Sequence, residues 1–179
     1  MLADAYVAED RAIMRSGKTV RDAAWLVTTE ASSRWYACTK LPIRAPEAAA
    51  TGGIIGVAGI LVPYEGTGRL PMSYQRVEAA LELARSGYAE GVRVSDLATA
   101  AGFSRNQFTR IFEELFHMTP GDYLLRMRVD HGRRLLSQTR KQITEIALES
   151  GFYDHSAFSK AFRRQTGMTP RDYRKRFAR

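Results

Sequence analysis

The sequence predicts a mainly α protein, with an all-α region of paired helices preceded by a small α+β segment. Three observations predict it. One segment occurs twice, from Val94 to Tyr123 and from Ile143 to Tyr173. Each copy sets apolar residues at helical spacing on both sides of a glycine. Residues 1 to 62 instead hold three stretches rich in β-branched, aromatic and small residues behind one amphipathic helix.

Residues 2 to 15 read as that helix, with Leu2, Tyr6, Ile13 and Met14 apolar and Asp4, Glu9, Asp10 and Arg11 solvated. Ser16-Gly17-Lys18 ends it. The strands follow: Asp22 to Thr29 around Trp25 and Val27, Arg34 to Leu41 around Trp35, Tyr36 and Thr39 with Pro42 as its stop, and Gly53 to Val62. Arg44 to Gly52 reads as a loop. One helix and three antiparallel strands make an α+β half-domain, which leaves an unpaired edge and an exposed apolar face. The expectation is a chain shortened at its start or an edge completed by a partner subunit. Gly53, Gly56 and Gly59 are spaced for a packed strand, not for a phosphate loop. Cys38 reads as a small core residue rather than a redox sensor.

Residues 63 to 73, PYEGTGRLPMS, read as an interdomain linker. Ser73 is the expected cap of a helix through Ala84, with Val77, Ala80, Leu81 and Ala84 inward. In the first copy Ser95 is the expected cap, Leu97, Ala98 and Ala101 face inward, and Gly102 stops the helix because it reaches positive φ without steric cost. Ser104 then caps a second helix whose inner residues are Phe108, Ile111, Phe112 and Leu115. Residues 121 to 138 read as a central helix with Tyr123, Leu124, Met127, Leu135 and Leu136 inward. The second copy repeats the first with Thr144 as cap, Ile146 and Ala147 inward, Gly151 as stop, and Phe158, Ala161 and Phe162 on the inner face. It carries one extra residue after its Gly-Phe pair. Helix, glycine turn, helix is the helix-turn-helix layout, here at about 94–116 and about 143–166.

The residues Gly151-Phe152, Asp154, Ser156, Phe158, Phe162, Gly167 and Thr169-Pro170-x-x-Tyr173, with the weaker first copy, resemble the C-terminal DNA-binding domain of the AraC/XylS family of bacterial transcription regulators. The resemblance covers about residues 74 to 177. It implies two helix-turn-helix units joined by one central helix, sequence-specific binding of double-stranded DNA, activation as a mode of regulation and RNA polymerase as a further partner. Gly132 departs from it, because a better helix former is usual there and Gly costs roughly 1 kcal/mol relative to Ala. A second resemblance lies in Asp10, Ser16-Gly17-Lys18, Trp35-Tyr36, Thr39-Lys40-x-Pro42 and Ile55 to Ile60, which look like the C-terminal half of a PAS sensor domain. It covers about residues 2 to 61 and implies a sensor or dimerisation segment, here without the first strands and helices that usually enclose a PAS cavity. No cofactor is expected.

The first recognition helix offers Ser104, Arg105, Asn106, Gln107, Thr109 and Arg110 on its polar face. By family position Asn106, Thr109 and Arg110 are the implied base readers, with Arg110 suited to a guanine edge and Asn106 to adenine. The second offers Tyr153, Asp154, His155, Ser156, Ser159 and Lys160, of which His155, Ser156, Ser159 and Lys160 match the family's contact positions. Asp154 is expected to cap its helix. Arg105, Arg128, Arg163, Arg164, Arg171 and Lys175 are open between phosphate contact and internal salt bridges. A central helix of eighteen residues spans about 27 Å at 1.5 Å each, which suits recognition helices roughly one DNA turn apart.

Composition agrees. The 179 residues carry a net charge of +8. Residues 1 to 70 hold 8 Lys/Arg and 7 Asp/Glu, while residues 71 to 179 hold 19 and 12, so the excess sits with the duplicated region and points to a polyanion. A single cysteine rules out an internal disulfide and a multi-thiolate metal site. An acidic N-terminus and the lack of a run of about 20 apolar residues lead to an expected cytoplasmic location. His117, His131 and His155 are scattered, and the pairs Glu113/Glu114 and Glu145/Glu149 look like solvated helix faces, so an enzyme is not expected. A ligand- or partner-binding module with vestigial DNA binding is the alternative to a regulator.

Overall fold

The computed structural model describes residues 3–28, 33–46, 53–64 and 72–178. The expected linker residues 65 to 71, the loop residues 47 to 52, and Leu2 and Thr29 lie outside them. The elements are α1 (Ala3–Ser16), β1 (Val20–Thr28), β2 (Ser33–Arg44), β3 (Ile54–Pro63), α2 (Met72–Gly87), α3 (Val94–Ala100), α4 (Arg105–Phe116), α5 (Pro120–Gln138), α6 (Ile143–Glu149), α7 (His155–Thr166) and α8 (Pro170–Phe177), with a short 3-10 turn at Tyr88–Glu90. They form two compact units, one built mainly from residues up to Met72 and the other mainly from Ser73 onward. The chain is mainly helical, with a small antiparallel sheet near its start.

In the N-terminal unit α1 ends where Gly17 takes φ +66° and donates to the Ile13 carbonyl. The sheet order is β1-β2-β3, antiparallel throughout. Leu26 and Trp35 are buried on one face of the sheet, and helix α1 packs on the opposite face, with Ile13 and Cys38 buried. Tyr6 stacks on Trp25 at 3.8 Å between ring centroids and donates its hydroxyl to the Leu26 carbonyl at 2.9 Å. Burial pushes that hydroxyl up to about 12. Lys40 is buried on the same face, paired with Glu9 at 2.9 Å and with Asp10, and its ammonium lies 4.0 Å from the Trp25 ring centroid. A buried ammonium without such partners would be costly, so α1 and β2 are held by charge as well as by apolar contact. Burial also raises the Cys38 thiol, which accords with a small core residue.

Three expectations fail in this unit. Glu9, expected to be solvated, is mostly buried against Lys40, with its side chain 16% exposed. Pro42 does not stop β2, which runs on to Arg44 with Pro42 opposite Val57. The last β1 residue paired with β2 is Val20, opposite Lys40, so Pro42 lies past β1 and needs hydrogen bonds on the β3 side only. Met14 is exposed instead of packed. Residues Ile55, Ile60, Leu61 and Val62 of β3 are also exposed.

The C-terminal unit is built from a repeated pattern. Phe108 and Phe112 of α4 are fully buried with ring centroids 5.4 Å apart, and Phe112 meets Tyr123 of α5 at 5.4 Å. Phe158 and Phe162 of α7 repeat this at 5.4 Å, and Phe162 meets Tyr173 of α8 at 5.3 Å. Each buried phenylalanine contributes roughly 1.5–3 kcal/mol of transfer free energy. The recurring Thr-Pro-x-Asp is a helix start. Thr119 and Thr169 accept from the amides of Asp122 and Asp172 at 3.0 and 3.2 Å, with Pro120 and Pro170 in the first turn where no amide hydrogen is needed. The copies differ at the end of the recognition helix. Gly167 has φ +75° there, while the matching His117 holds φ +50°, which costs a residue with a Cβ roughly 1–2 kcal/mol.

Three expected caps are corrected. Ser73 lies inside α2, which begins at Met72 and runs past Ala84 to Gly87. Ser95 and Thr144 lie inside α3 and α6. The caps sit two residues earlier, at Arg93 and Gln142, because carboxylates reach back from the third helical position: Asp96 accepts from the Arg93 amide at 2.8 Å and Glu145 from the Gln142 amide at 2.6 Å.

The glycine that looked out of place in the central helix is a packing requirement. A Cβ on Gly132 would lie 2.6 and 2.8 Å from ring carbons of Phe158 and 3.3 Å from the Ser150 hydroxyl. Gly132 therefore sets how closely α5 and α7 approach. Gly132→Ala is expected to destabilise the protein by about 1–3 kcal/mol through overpacking, overriding a propensity gain of about 1 kcal/mol. Urea denaturation followed by far-UV circular dichroism checks this, and a raised midpoint would contradict it.

Candidate nucleic-acid interface

Gly102 and Gly151 take φ +65° and +79° and turn the chain from α3 into α4 and from α6 into α7. A Cβ at Gly151 would also lie 2.6 Å from the Tyr88 carbonyl oxygen. The recognition helices are then started by caps. Ser104 accepts from the Gln107 amide at 3.4 Å, while the Gln107 side-chain oxygen takes the Ser104 amide at 3.2 Å and hydroxyl at 2.9 Å. Asp154 accepts from the Ala157 amide at 2.7 Å, the capping role expected of it. Helix α2 braces the first turn. Arg76 donates to the Gly102 carbonyl at 2.6 Å and lies 4.4 Å from the Phe103 ring centroid.

With the phenylalanines turned inward, the opposite faces reach solvent. Arg105, Asn106, Gln107 and Arg110 of α4 are exposed and Thr109 is half-buried. In α7, His155, Ser156, Lys160 and Arg164 are exposed and Ser159 is half-buried. Not all are equally available. Gln107 spends its carbonyl oxygen on the cap, leaving its amide nitrogen as the outward donor. Ser159 and His155 share a hydrogen bond at 3.3 Å. Arg164 stands 4.0 Å from Asp122, and both are more than half exposed, so the pair is worth little.

Arg128 leaves the set of phosphate candidates. Its guanidinium donates to the Tyr88 carbonyl at 2.8 Å and to the Val92 carbonyl at 3.1 Å, and burial lowers its pKa. It ties the lead-in to the first helix-turn-helix unit to the central helix, beside Gly151 in the turn of the second. Spacing alone could not separate it from the neighbouring Arg126. Arg105, Arg163, Arg171 and Lys175 are exposed. The role of Arg76 carries no local sequence signal, since its partner is a backbone carbonyl 26 residues away.

Among the described residues no cluster of His, Cys, Asp or Glu could hold a metal ion, and no helix is long and apolar enough to cross a membrane. Fold and surface together define a double helix-turn-helix protein with two outward polar helix faces. A family model described as a helix-turn-helix domain matches residues 97–176. The HTH-type transcriptional regulator ArgR of Pseudomonas aeruginosa is 34% identical over 106 residues, covering 59% of this chain and 32% of that protein. The melibiose operon regulatory protein of Escherichia coli is 34% identical over 99 residues, covering 55% and 33%. The chain thus spans about a third of the length of the curated relatives it matches. Among solved structures, an AraC-type transcriptional regulator from Chromobacterium violaceum superposes with TM-score 0.55 at 33% identity over 60% of this chain and 96% of that one. The DNA-binding domain of AdpA, a global transcriptional factor solved with a target DNA, does so with TM-score 0.55 at 31% identity over 57% and 92%. The chain belongs to the AraC/XylS family of transcription regulators.

One titration follows from the brace around Arg128. His131 of α5 shares a hydrogen bond with the Tyr88 hydroxyl at 2.9 Å. Burial lowers its pKa first, with Arg134 and Lys141 adding repulsion and Glu149 opposing them. The folded state therefore holds fewer protons than the unfolded chain, whose histidine titrates near 6.5. Stability is full above that value and is lost as pH falls through it toward the lower folded pKa. Urea midpoints measured from pH 7.5 down to 5 should fall, and His131→Gln should flatten that fall. An equal slope in both proteins would refute the assignment.

Proposed function

We infer that the chain binds double-stranded DNA in a sequence-specific way and regulates transcription, laying α4 and α7 into successive major grooves of one duplex. The observation that carries this reading is the repetition: two capped helices, each burying a phenylalanine pair and exposing a polar face, flank one nineteen-residue helix. That helix spans about 28 Å, close to the roughly 34 Å between grooves on one DNA face. The basic surplus of residues 71 to 179 supplies the attraction to phosphate. The solved AdpA domain with its target DNA supports the same reading. Asn106, Thr109 and Arg110, with His155, Ser156, Ser159 and Lys160, are the proposed base readers. Arg105 and Arg164 are proposed phosphate contacts, and Gln107 contributes its side-chain amide nitrogen. Activation through RNA polymerase, a cytoplasmic location and the absence of catalysis complete the proposal.

Enrichment of bound sites from a random duplex library tests it. A recovered motif with two half-sites about 10 base pairs apart is expected, and no enrichment would refute it. On that motif Arg110→Ala should cost about 1–3 kcal/mol and relax preference at one position. An unchanged selected motif would remove Arg110 from the readers.

The N-terminal unit is proposed as the end of a PAS-like sheet that pairs with a second copy. Exposed Ile55, Ile60, Leu61 and Val62 on β3 favour this. Sedimentation should show self-association of the full chain that is lost in a chain beginning at residue 70. Equal sedimentation of the two would discard the idea.

A further inference from the structure

The second helix-turn-helix unit makes its turn with one residue more than the first. Matching Phe103 to Phe152 and Ser104 to Asp154 leaves Tyr153 without a counterpart. The first unit joins a positive-φ glycine to a capped recognition helix without it, so the turn does not require the residue. Yet it is a large aromatic side chain, 92% exposed, next to the cap of α7.

Tyr153 stands beside an open groove of about 610 Å³ within the C-terminal unit. The segment leading into α3 supplies Val92 and Arg93, α5 supplies Leu124 and Arg128, and the end of α6 supplies Leu148, which is itself 61% exposed. Two arginines and no carboxylate line it. Arg128 is fixed there by the Tyr88 and Val92 carbonyls, so its charge stays in the groove, while Arg93 is exposed. The lining thus combines fixed and exposed positive charge with apolar surface, which fits an anionic chain that also carries apolar faces.

We propose that this groove seats the sugar–phosphate backbone of the DNA between the two major-groove segments. Arg93 pairs with a phosphate, and Tyr153 lays its ring on a deoxyribose and donates its hydroxyl to a phosphate oxygen. This rests on the DNA-binding reading above and adds a third contact region to it. The groove takes Leu124 and Arg128 from the helix that joins the two units, and its other walls from the lead-in to the first unit and the turn of the second. Its residues supply affinity and register and carry no base preference. An acidic protein segment is the other anionic chain with apolar faces, and the test separates it.

The test is fluorescence anisotropy of the full chain on a selected duplex and on an unrelated one, over a range of salt, with Arg93→Gln and Tyr153→Ser beside the wild type. Thermal melts confirm that both variants fold. Each variant should bind both duplexes about 3- to 10-fold more weakly with base preference intact, and Arg93→Gln should reduce the salt slope by about one. Neutral methylphosphonate linkages between the half-sites should weaken the wild type but not Arg93→Gln further. Variants that bind both duplexes like the wild type, or linkages that weaken Arg93→Gln as much as the wild type, would overturn the groove while leaving DNA binding intact. Variants that keep DNA affinity but lose a poly-glutamate peptide would overturn it in favour of a protein partner. A wild type that binds neither duplex at low salt would remove the DNA reading and this inference with it.

Discussion

The Arg128 guanidinium, held by the carbonyls of Tyr88 and Val92, connects parts of the C-terminal unit that sequence repetition alone would leave independent. A helix-turn-helix unit needs only its own phenylalanine pair, its glycine turn and its cap. Two such units act on one duplex only when the distance and rotation between them are set. Arg128 fastens α5 to the lead-in of the first unit, and Gly151 lets the turn of the second come against the same Tyr88 carbonyl. A half-buried cation satisfied by two backbone carbonyls is costly to separate, because opening the contact leaves two acceptors and part of a charge without partners.

The duplication shows what each unit must keep and where each is free to differ. Both keep a positive-φ glycine, a buried pair of phenylalanines and a Thr-Pro helix start, since each fixes backbone direction or core volume. They differ at His117 against Gly167, which is tolerated strain, and at the added Tyr153. Gly132, in the helix between the copies, belongs to the close contact between α5 and α7. Tyr153 leaves the fold alone and changes only the surface, which makes it the difference most open to function.

The helical half of the fold was legible in sequence because its signals are local. Helical spacing, the glycine stops, the central helix at about 121–138 and the inward phenylalanines depend on neighbours within a few residues. Caps were read less well: serine and threonine drew attention, while Asp96 and Glu145 close the helices from the third position. The place of Pro42 inside β2 is not legible locally, because its tolerance depends on where β1 begins. The polar faces of α4 and α7 were legible as surfaces. The roles of Arg128, Arg76 and Gly132 were not, since each is set by a partner far away in the chain. The AraC/XylS resemblance was legible from Gly-Phe and Thr-Pro-x-x-Tyr and agrees with the relatives that the chain matches.

The central claim is that one chain presents two recognition helices to neighbouring grooves on the same face of a duplex. Hydroxyl-radical footprinting combined with methylation interference, at one chain per duplex, tests it most directly. The account predicts two protected stretches about 10 base pairs apart, with interfering major-groove positions in both and none that require a second chain. A single protected stretch, or a second one that appears only when another chain binds, would contradict it.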